Sequence, residues 1–488
     1  MVFNSVHFIV FFPIVACVFF ILPHRARWIW LLASSLYFYG VAEPLFLIQI
    51  LGATVVTYFF AERVELAPDK QKKKSILTVA ILALVGNLFI FKYTSFANET
   101  LRSLFGLLNL SYPVPALHLA LPIGISFYTF QLIGYLVDVY RGAKAEKHFG
   151  LFALYVSFFP KVVSGPIERA KNLLPQLHAE QVFDEHRVAS GLKLMAWGAF
   201  KKLVVADRIA PFVDHVYGNP HAFDGVATTL ATLLFAFQIY CDFSGYTDIA
   251  IGAARIMGYK LAINFNRPYL ATSIGDFWRR WHISLSNWLT DYVYTPLTRS
   301  RAVRFKWYYL MLMSLAVTFL ISGIWHGAAW TFVAWGALHA SYLITSVLTQ
   351  QSRSKFVRFI GLNRIPKLHY AVRVAITFGL VCFAYILFKA SSLADAVHII
   401  THLHTGWGGV ASSVAQVLEQ RWPEFTLALC GIAVVIGVDV LKSYGDIGEM
   451  IAKRPVWLRW GVYYAGTVSI ILLGAFYDAN QKFIYFQF

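Results

Sequence analysis

The chain has 488 residues, 58% of them hydrophobic, 17% aromatic and only 14% charged. Soluble domains carry about 25% charged residues, so this apolar surplus exceeds what one aqueous core can hide and excludes an ordinary soluble domain. In a soluble protein the formal charge of +17 would suggest a nucleic acid partner. Here the basic residues gather in short loops between apolar runs, a pattern that fits cytoplasmic retention and contact with anionic membrane lipid, with no nucleic acid.

Apolar runs recur along the whole chain. They are Val6–Leu22, Trp28–Tyr39, Leu45–Phe60, Ile76–Phe91, Leu117–Val139, Leu151–Val163, Val226–Tyr240, Trp307–Ile324, Ala328–Leu348, Tyr370–Phe388, Phe425–Val440 and Trp457–Phe476. A spanning helix needs roughly 20 residues, and shorter runs are expected to be re-entrant or buried, which gives about 11 spans. The predicted fold class is all-α: a polytopic integral membrane protein forming a single membrane domain over 1–488. The first run lacks the charged leader and small-residue cleavage site of a secretory signal, so it is expected to be a retained helix. Cys17, Cys241, Cys382 and Cys430 are far apart in apolar runs, without metal-ligand or redox spacing. No metal is expected.

The basic loops are His24–Arg27, Lys70–Lys74, Arg299–Lys306 and Lys453-Arg454. Polar intervals interrupt the pattern at Glu62–Lys74, read as a charged loop, at Glu168–Arg187 and at Ile263–Arg304. Before the second interval lies "FFPKVVSGPIER", Phe158–Arg169. Its Pro160, Gly165 and Pro166 predict a broken or re-entrant segment rather than a clean span. Lys161 in this stretch either snorkels or meets a cofactor phosphate.

In "FQIYCDFSGYTDIAIGAARIMGY", Gln238, Asp242, Ser244, Asp248 and Arg255 interrupt an apolar run. Carboxylates at membrane depth normally pair or line water. A structural network is the favoured reading for Asp242 and Asp248, and a proton relay the weaker one. Gly245, Gly252 and Gly258 suggest that this helix is not straight. Farther on, Phe277, Trp281, Leu285, Trp288, Leu289 and Tyr292 recur at three- and four-residue spacing. They predict one amphipathic helix with Arg279, Arg280, Asn287 and Asp291 largely on the other side, ending at Pro296.

If the Arg299–Lys306 loop is cytoplasmic, the helix starting at Trp307 climbs outward, rising about 28 Å by His326 if it is straight and upright. His326 is then expected at membrane depth or toward the outer face, and His282 on the cytoplasmic side. The two imidazoles would mark two ends of one passage. His326 lies in "SGIWHGAAW" between long apolar runs, with Ser322, Gly323 and Gly327 beside it. A packed, hydrogen-bonded histidine is one reading. The other is a general base, since a neutral imidazole has an ordinary pKa of about 6.5. His282 in "RRWH" is either interfacial or part of a cytoplasmic mouth where Arg279 and Arg280 pair with phosphates. His339 is expected to be a packed or polar-network residue.

The stretches "DFSGYTDIAIGAARIMGYKLAINFNRPYLATSIGDFWRRWHISLSNWLTDYVYTPL" and "GIWHGAAWTFVAWGALHA" resemble the membrane-bound O-acyltransferase family. "FFPKVVSGPIER" and the opening "MVFNSVHFIVFFPIV" are similar to its bacterial branch, which includes a membrane subunit of alginate O-acetylation. The resemblance implies a ring of tilted helices around a thin centre with a funnel from each side. It assigns N-terminal helices to 1–115, a catalytic core to 116–348 and C-terminal helices to 349–488. It implies that His326 is the catalytic histidine and His282 the second one. The implied acyl donor is cytoplasmic acetyl-CoA, with Arg279, Arg280, Trp281 and Lys161 as cofactor-binding candidates. The acetyl group would cross a bacterial inner membrane toward an exported polysaccharide or peptidoglycan. The implied partner is an extracytoplasmic esterase-like acetyltransferase or a polysaccharide-modification complex. D-alanyl transfer from a carrier-protein thioester to teichoic acid is the alternative enzyme. A glycan-precursor transporter and a non-catalytic scaffold are the alternatives from other classes.

Overall fold

The computed structural model describes residues 1–41, 43–115, 119–299, 307–475 and 484. Among the described residues every regular element is helical. Among the described residues eight helices are long and apolar enough to cross a membrane: Leu45–Leu66, Lys70–Leu107, Gly225–Ile256, Trp307–His326, Trp330–Leu348, Pro366–Lys389, Trp422–Leu441 and Val456–Leu473, with Val6–Ile21 as a shorter apolar helix. The protein is an all-α, multi-pass membrane protein. The expected number of about 11 spans is not reached among the described residues, where several of the apolar runs form shorter helices. The run Leu151–Val163 forms helix only over Phe149–Ser157, and Leu117–Val139 contributes the 16-residue helix Ile125–Tyr140. Most of the basic loop Arg299–Lys306 lies outside the described residues.

The chain folds as two compact units, one of residues 1–195 with 249–262 and the other of residues 196–248 with 263–488. In the first unit the expected charged loop Glu62–Lys74 is mostly helix. Leu45–Leu66 and Lys70–Leu88 are separated by only three residues, because Asp69 caps the second helix by accepting the Lys72 N–H at 2.7 Å. Phe158–Arg169 is broken as expected. Helix stops at Ser157, turns follow, and helix resumes at Ala170–His178. A buried turn must satisfy its backbone internally, and the Phe159 N–H donates to Ser35 Oγ at 3.1 Å.

The helix Gly225–Ile256 runs unbroken for 32 residues. Its glycines Gly245 and Gly252 serve close approach. A Cβ at Gly245 would lie 2.7 Å from the Gly198 carbonyl oxygen in the second unit, and one at Gly252 would lie 2.7 Å from that of Gly191 in the first. Small residues at such crossings let helix backbones touch. Gly258, at φ +99°, lies just past the helix end.

In the second unit Trp307–His326 and Trp330–Leu348 form a tight helical hairpin. A Cβ at Gly323 would sit 3.2 Å from Gly336 Cα and would collide with the Phe332 carbonyl oxygen. The core beside this hairpin is aromatic, including Phe277, Trp278, Trp281, Trp335, Tyr385 and Phe388.

The predicted single amphipathic helix around Phe277–Tyr292 is not formed. Ser273 caps a short helix, Ile274–Trp278; turns follow, and a second helix, Ile283–Leu289, runs into the π-helical Thr290–Tyr294. The break buries Trp281 and His282 together, which helical spacing does not allow on one narrow face. The non-helical segment at Asn264–Asn266 satisfies the opened backbone. The Asn266 N–H donates to the Arg280 carbonyl at 2.9 Å, and the Ile283 N–H donates to the Asn264 carbonyl at 3.0 Å.

Candidate active site

His326 is the last residue of its helix and is 4% exposed. Three rings present their edges around it: Trp325 and Trp335, each with its centroid 5.0 Å away, and Phe388 at 5.4 Å. Trp325 also approaches His282, centroid to centroid, at 5.9 Å. One indole therefore touches both imidazoles. The sequence placed them at two ends of one passage because the Arg299–Lys306 loop was expected on the cytoplasmic side and the helix from Trp307 was expected to climb away from it. His282 is fully buried, with Trp325 beside both rings.

His282 has φ +42° and ψ 54°, a left-handed conformation that costs a non-glycine residue of the order of 1–2 kcal/mol. Phe243 packs edge-on against its ring at 4.7 Å. The side-chain oxygen of Asn264 lies 3.3 Å from His282 Nδ1, and accepts the Ser284 N–H at 3.1 Å and the Ser284 hydroxyl at 2.7 Å. This segment lies outside the eight candidate spans, and burial pushes the imidazole pKa down to about 3. The ring is neutral.

Ser322 Oγ, Trp335 Nε1 and Asn264 Nδ2 are buried without a hydrogen-bond partner among the described residues. Such groups carry a desolvation cost that a bound polar molecule can offset. Trp335 also packs on His339 at 4.7 Å, and Trp278 Nε1 donates to His339 Nδ1 at 3.3 Å. His339 is the packed, hydrogen-bonded residue that was expected.

Arg280 Nε pairs with Asp276 Oδ1 at 3.1 Å; Arg279 reaches the same oxygen at 3.5 Å with its side chain 76% exposed. Partial burial pushes the Asp276 carboxyl up, but Arg280, the Thr272 N–H and Arg279 outweigh it and hold the pKa below the usual value. Trp281 is buried and stacks on Phe277 at 5.5 Å. Lys161 belongs to the first unit, where its Nζ donates to Gln131 Oε1 at 2.6 Å and stands 5.0 Å over the Tyr155 ring. Among the described residues no group of three or more His, Cys, Asp or Glu side chains is arranged to hold a metal.

A buried charge network in the second unit supports the structural reading of Asp242 and Asp248. Lys202 Nζ pairs with Asp207 and Asp242, each at 2.7 Å, and Lys201 Nζ pairs with Asp248 at 2.8 Å and donates to Ser244 Oγ at 2.8 Å. The two lysines were missed in the sequence. Their adjacency in "GAFKKLVVAD", within 50 residues of three isolated acids, was the available signal.

Residues 148–391 match the family described as MBOAT, membrane-bound O-acyltransferase. The chain is 36% identical over 397 residues to a probable alginate O-acetylase of Azotobacter vinelandii, covering 80% of this chain and 76% of the relative. It is 34% identical to a peptidoglycan O-acetyltransferase of Helicobacter pylori over 100% of this chain and 98% of that one. A teichoic acid D-alanyltransferase of Streptococcus thermophilus is 26% identical over 55% of this chain and 68% of its own length. The chain belongs to the membrane-bound O-acyltransferase family and is an acyltransferase.

Proposed function

We propose that the protein takes an acetyl group from cytoplasmic acetyl-CoA and passes it across a bacterial inner membrane toward an exported polysaccharide or peptidoglycan. An extracytoplasmic esterase-like partner would complete the transfer. The observation that carries this reading is the pair of buried imidazoles joined through Trp325, in a chain whose relatives include O-acetylases. Their similarity over 80% to 100% of this chain favours acetyl over D-alanyl transfer, for which the matched relative covers 55%.

In this mechanism His326 is the general base. It takes the proton of the acceptor hydroxyl as that oxygen attacks the thioester carbonyl. The tetrahedral oxyanion forms, the C–S bond breaks, and the CoA thiolate leaves with the proton that His326 gives back. The Trp335 indole N–H, against the His326 ring, is a donor for the oxyanion. Arg279, with its exposed guanidinium, is the residue we assign to the donor phosphates, Arg280 beside it serving the same charge. Trp281 and Lys161 we assign to packing. Residues 116–348 form the proposed catalytic core.

The test uses protein purified in detergent and acetyl-CoA labelled in the acetyl group. His326→Ala is expected to lose thioester cleavage while keeping its elution profile and melting temperature. Cleavage at the wild-type rate in folded His326→Ala would end the assignment.

A further inference from the structure

We propose that Asn264 is a positioning residue that locks neutral His282 into the Nδ1–H tautomer, so that Nε2 bears the ring's lone pair. The inference rests on the acyltransfer reading above only for its consequence in catalysis.

Hydrogen-bond chemistry fixes the assignment. The Ser284 backbone N–H can only donate. The Asn264 side-chain atom it meets at 3.1 Å must therefore be the carbonyl oxygen and not the amide nitrogen. The Ser284 hydroxyl, 2.7 Å from the same oxygen, is its second donor. An oxygen cannot donate back to a ring nitrogen. His282 Nδ1, at 3.3 Å from this oxygen, therefore carries the proton. A neutral imidazole has one N–H, and its lone pair falls on Nε2.

Backbone hydrogen bonds tie the two segments that carry the ring and the amide. The Asn264 carbonyl accepts the Ile283 N–H at 3.0 Å, and Asn266 is tied to Arg280 at 2.9 Å. The left-handed backbone at His282 turns the ring out of helical register toward this segment. Asn264 and His282 are both fully buried. Backbone strain of this kind persists where the surroundings over-determine it. In the acyltransfer mechanism the Nδ1–H tautomer makes His282 an acceptor at Nε2: it can hold a thiol or hydroxyl proton but cannot donate to a developing oxyanion.

The experiment is nitrogen NMR of purified full-length protein labelled with ring-15N histidine, with the His282 signals assigned by their loss in His282→Asn. The wild type is expected to show a protonated Nδ1 and an unprotonated Nε2. Asn264→Ala should mix the tautomers and lower kcat about 10- to 100-fold, with the KM for acetyl-CoA changed little. Asn264→Asp keeps the accepting oxygen, so it should retain the Nδ1–H form and recover most of the lost rate. A protonated Nε2 in the wild type overturns the proposal, as does an unchanged tautomer in Asn264→Ala. Should Asn264→Ala not fold, the wild-type spectrum and Asn264→Asp decide. The spectrum does not depend on activity: the predicted tautomer together with full activity in His282→Asn would sink the catalytic reading of His282 and leave the tautomer standing.

Discussion

Removing the charge of Lys202 gives a direct test of the buried network. Its ammonium lies 2.7 Å from both Asp207 and Asp242, and all three side chains are at most 8% exposed. One cation thus faces two carboxylates. Asp242 has further support, since its Oδ2 accepts the Ile484 N–H at 2.8 Å; the Lys202 ammonium is the shared counter-charge. In Lys202→Met the two acids would face an apolar side chain of similar length in place of their shared ammonium. Breaking one side of a buried pair costs about 3–5 kcal/mol, whereas replacing all partners by apolar isosteres is far milder. The loss corresponds to a change of more than about 100-fold in the ratio of folded to unfolded protein. Reversible unfolding in mixed micelles would measure it, with Asp207→Asn and Asp242→Asn added singly and together. Lys202→Met is expected to be the least stable variant, and the triple change should recover most of the difference. Folded Lys202→Met should still cleave the thioester, because the network supports helices. Unchanged stability in the single variant would refute the argument, and an abolished rate in the folded variant would favour a proton relay.

Three further outcomes follow from the geometry. Gly323→Ala forces a methyl against Gly336 and the Phe332 carbonyl and should cost about 1–3 kcal/mol by overpacking; Gly379→Ala, in a helix with nothing within 4 Å, should be neutral or stabilising by up to about 1 kcal/mol, both read by thermal unfolding. Trp325→Ala removes the indole between the imidazoles; it should cost about 3–5 kcal/mol of stability and lower the transfer rate, whereas Trp325→Phe should retain most of both. Asp276 has its folded pKa held below the ordinary value, so its contribution is present above the unfolded pKa of about 3.9 and is lost as the pH falls through the lower folded value. Melting curves below pH 5 should therefore show a shallower acid-side decline for Asp276→Asn than for wild type.

Much of this was legible before any coordinates. The apolar runs gave an all-helical membrane chain because burial in lipid demands internally bonded backbone. Pro160 and Pro166 marked the broken segment after Ser157, and Asp242 and Asp248 read as network residues because isolated acids at depth need partners. The failures have physical causes. Gly245 and Gly252 were read for distortion alone, yet a glycine that permits distortion also permits contact, and only the partner helix reveals that use. The stretch Phe277–Tyr292 has helical periodicity throughout, but its break at Arg279–His282 is stabilised by residues 264–266, and local patterning carries no trace of that pairing. The same omission concealed the closeness of His282 to Trp325.

The left-handed backbone at His282 governs which experiments on it can be read. Alanine, valine or isoleucine placed there would report two effects at once, the missing ring and a dihedral angle that L-residues resist. Asparagine adopts that angle more readily than most residues. Any mutational scan of this loop should therefore be normalised to His282→Asn, or the penalty of the turn will be mistaken for chemistry.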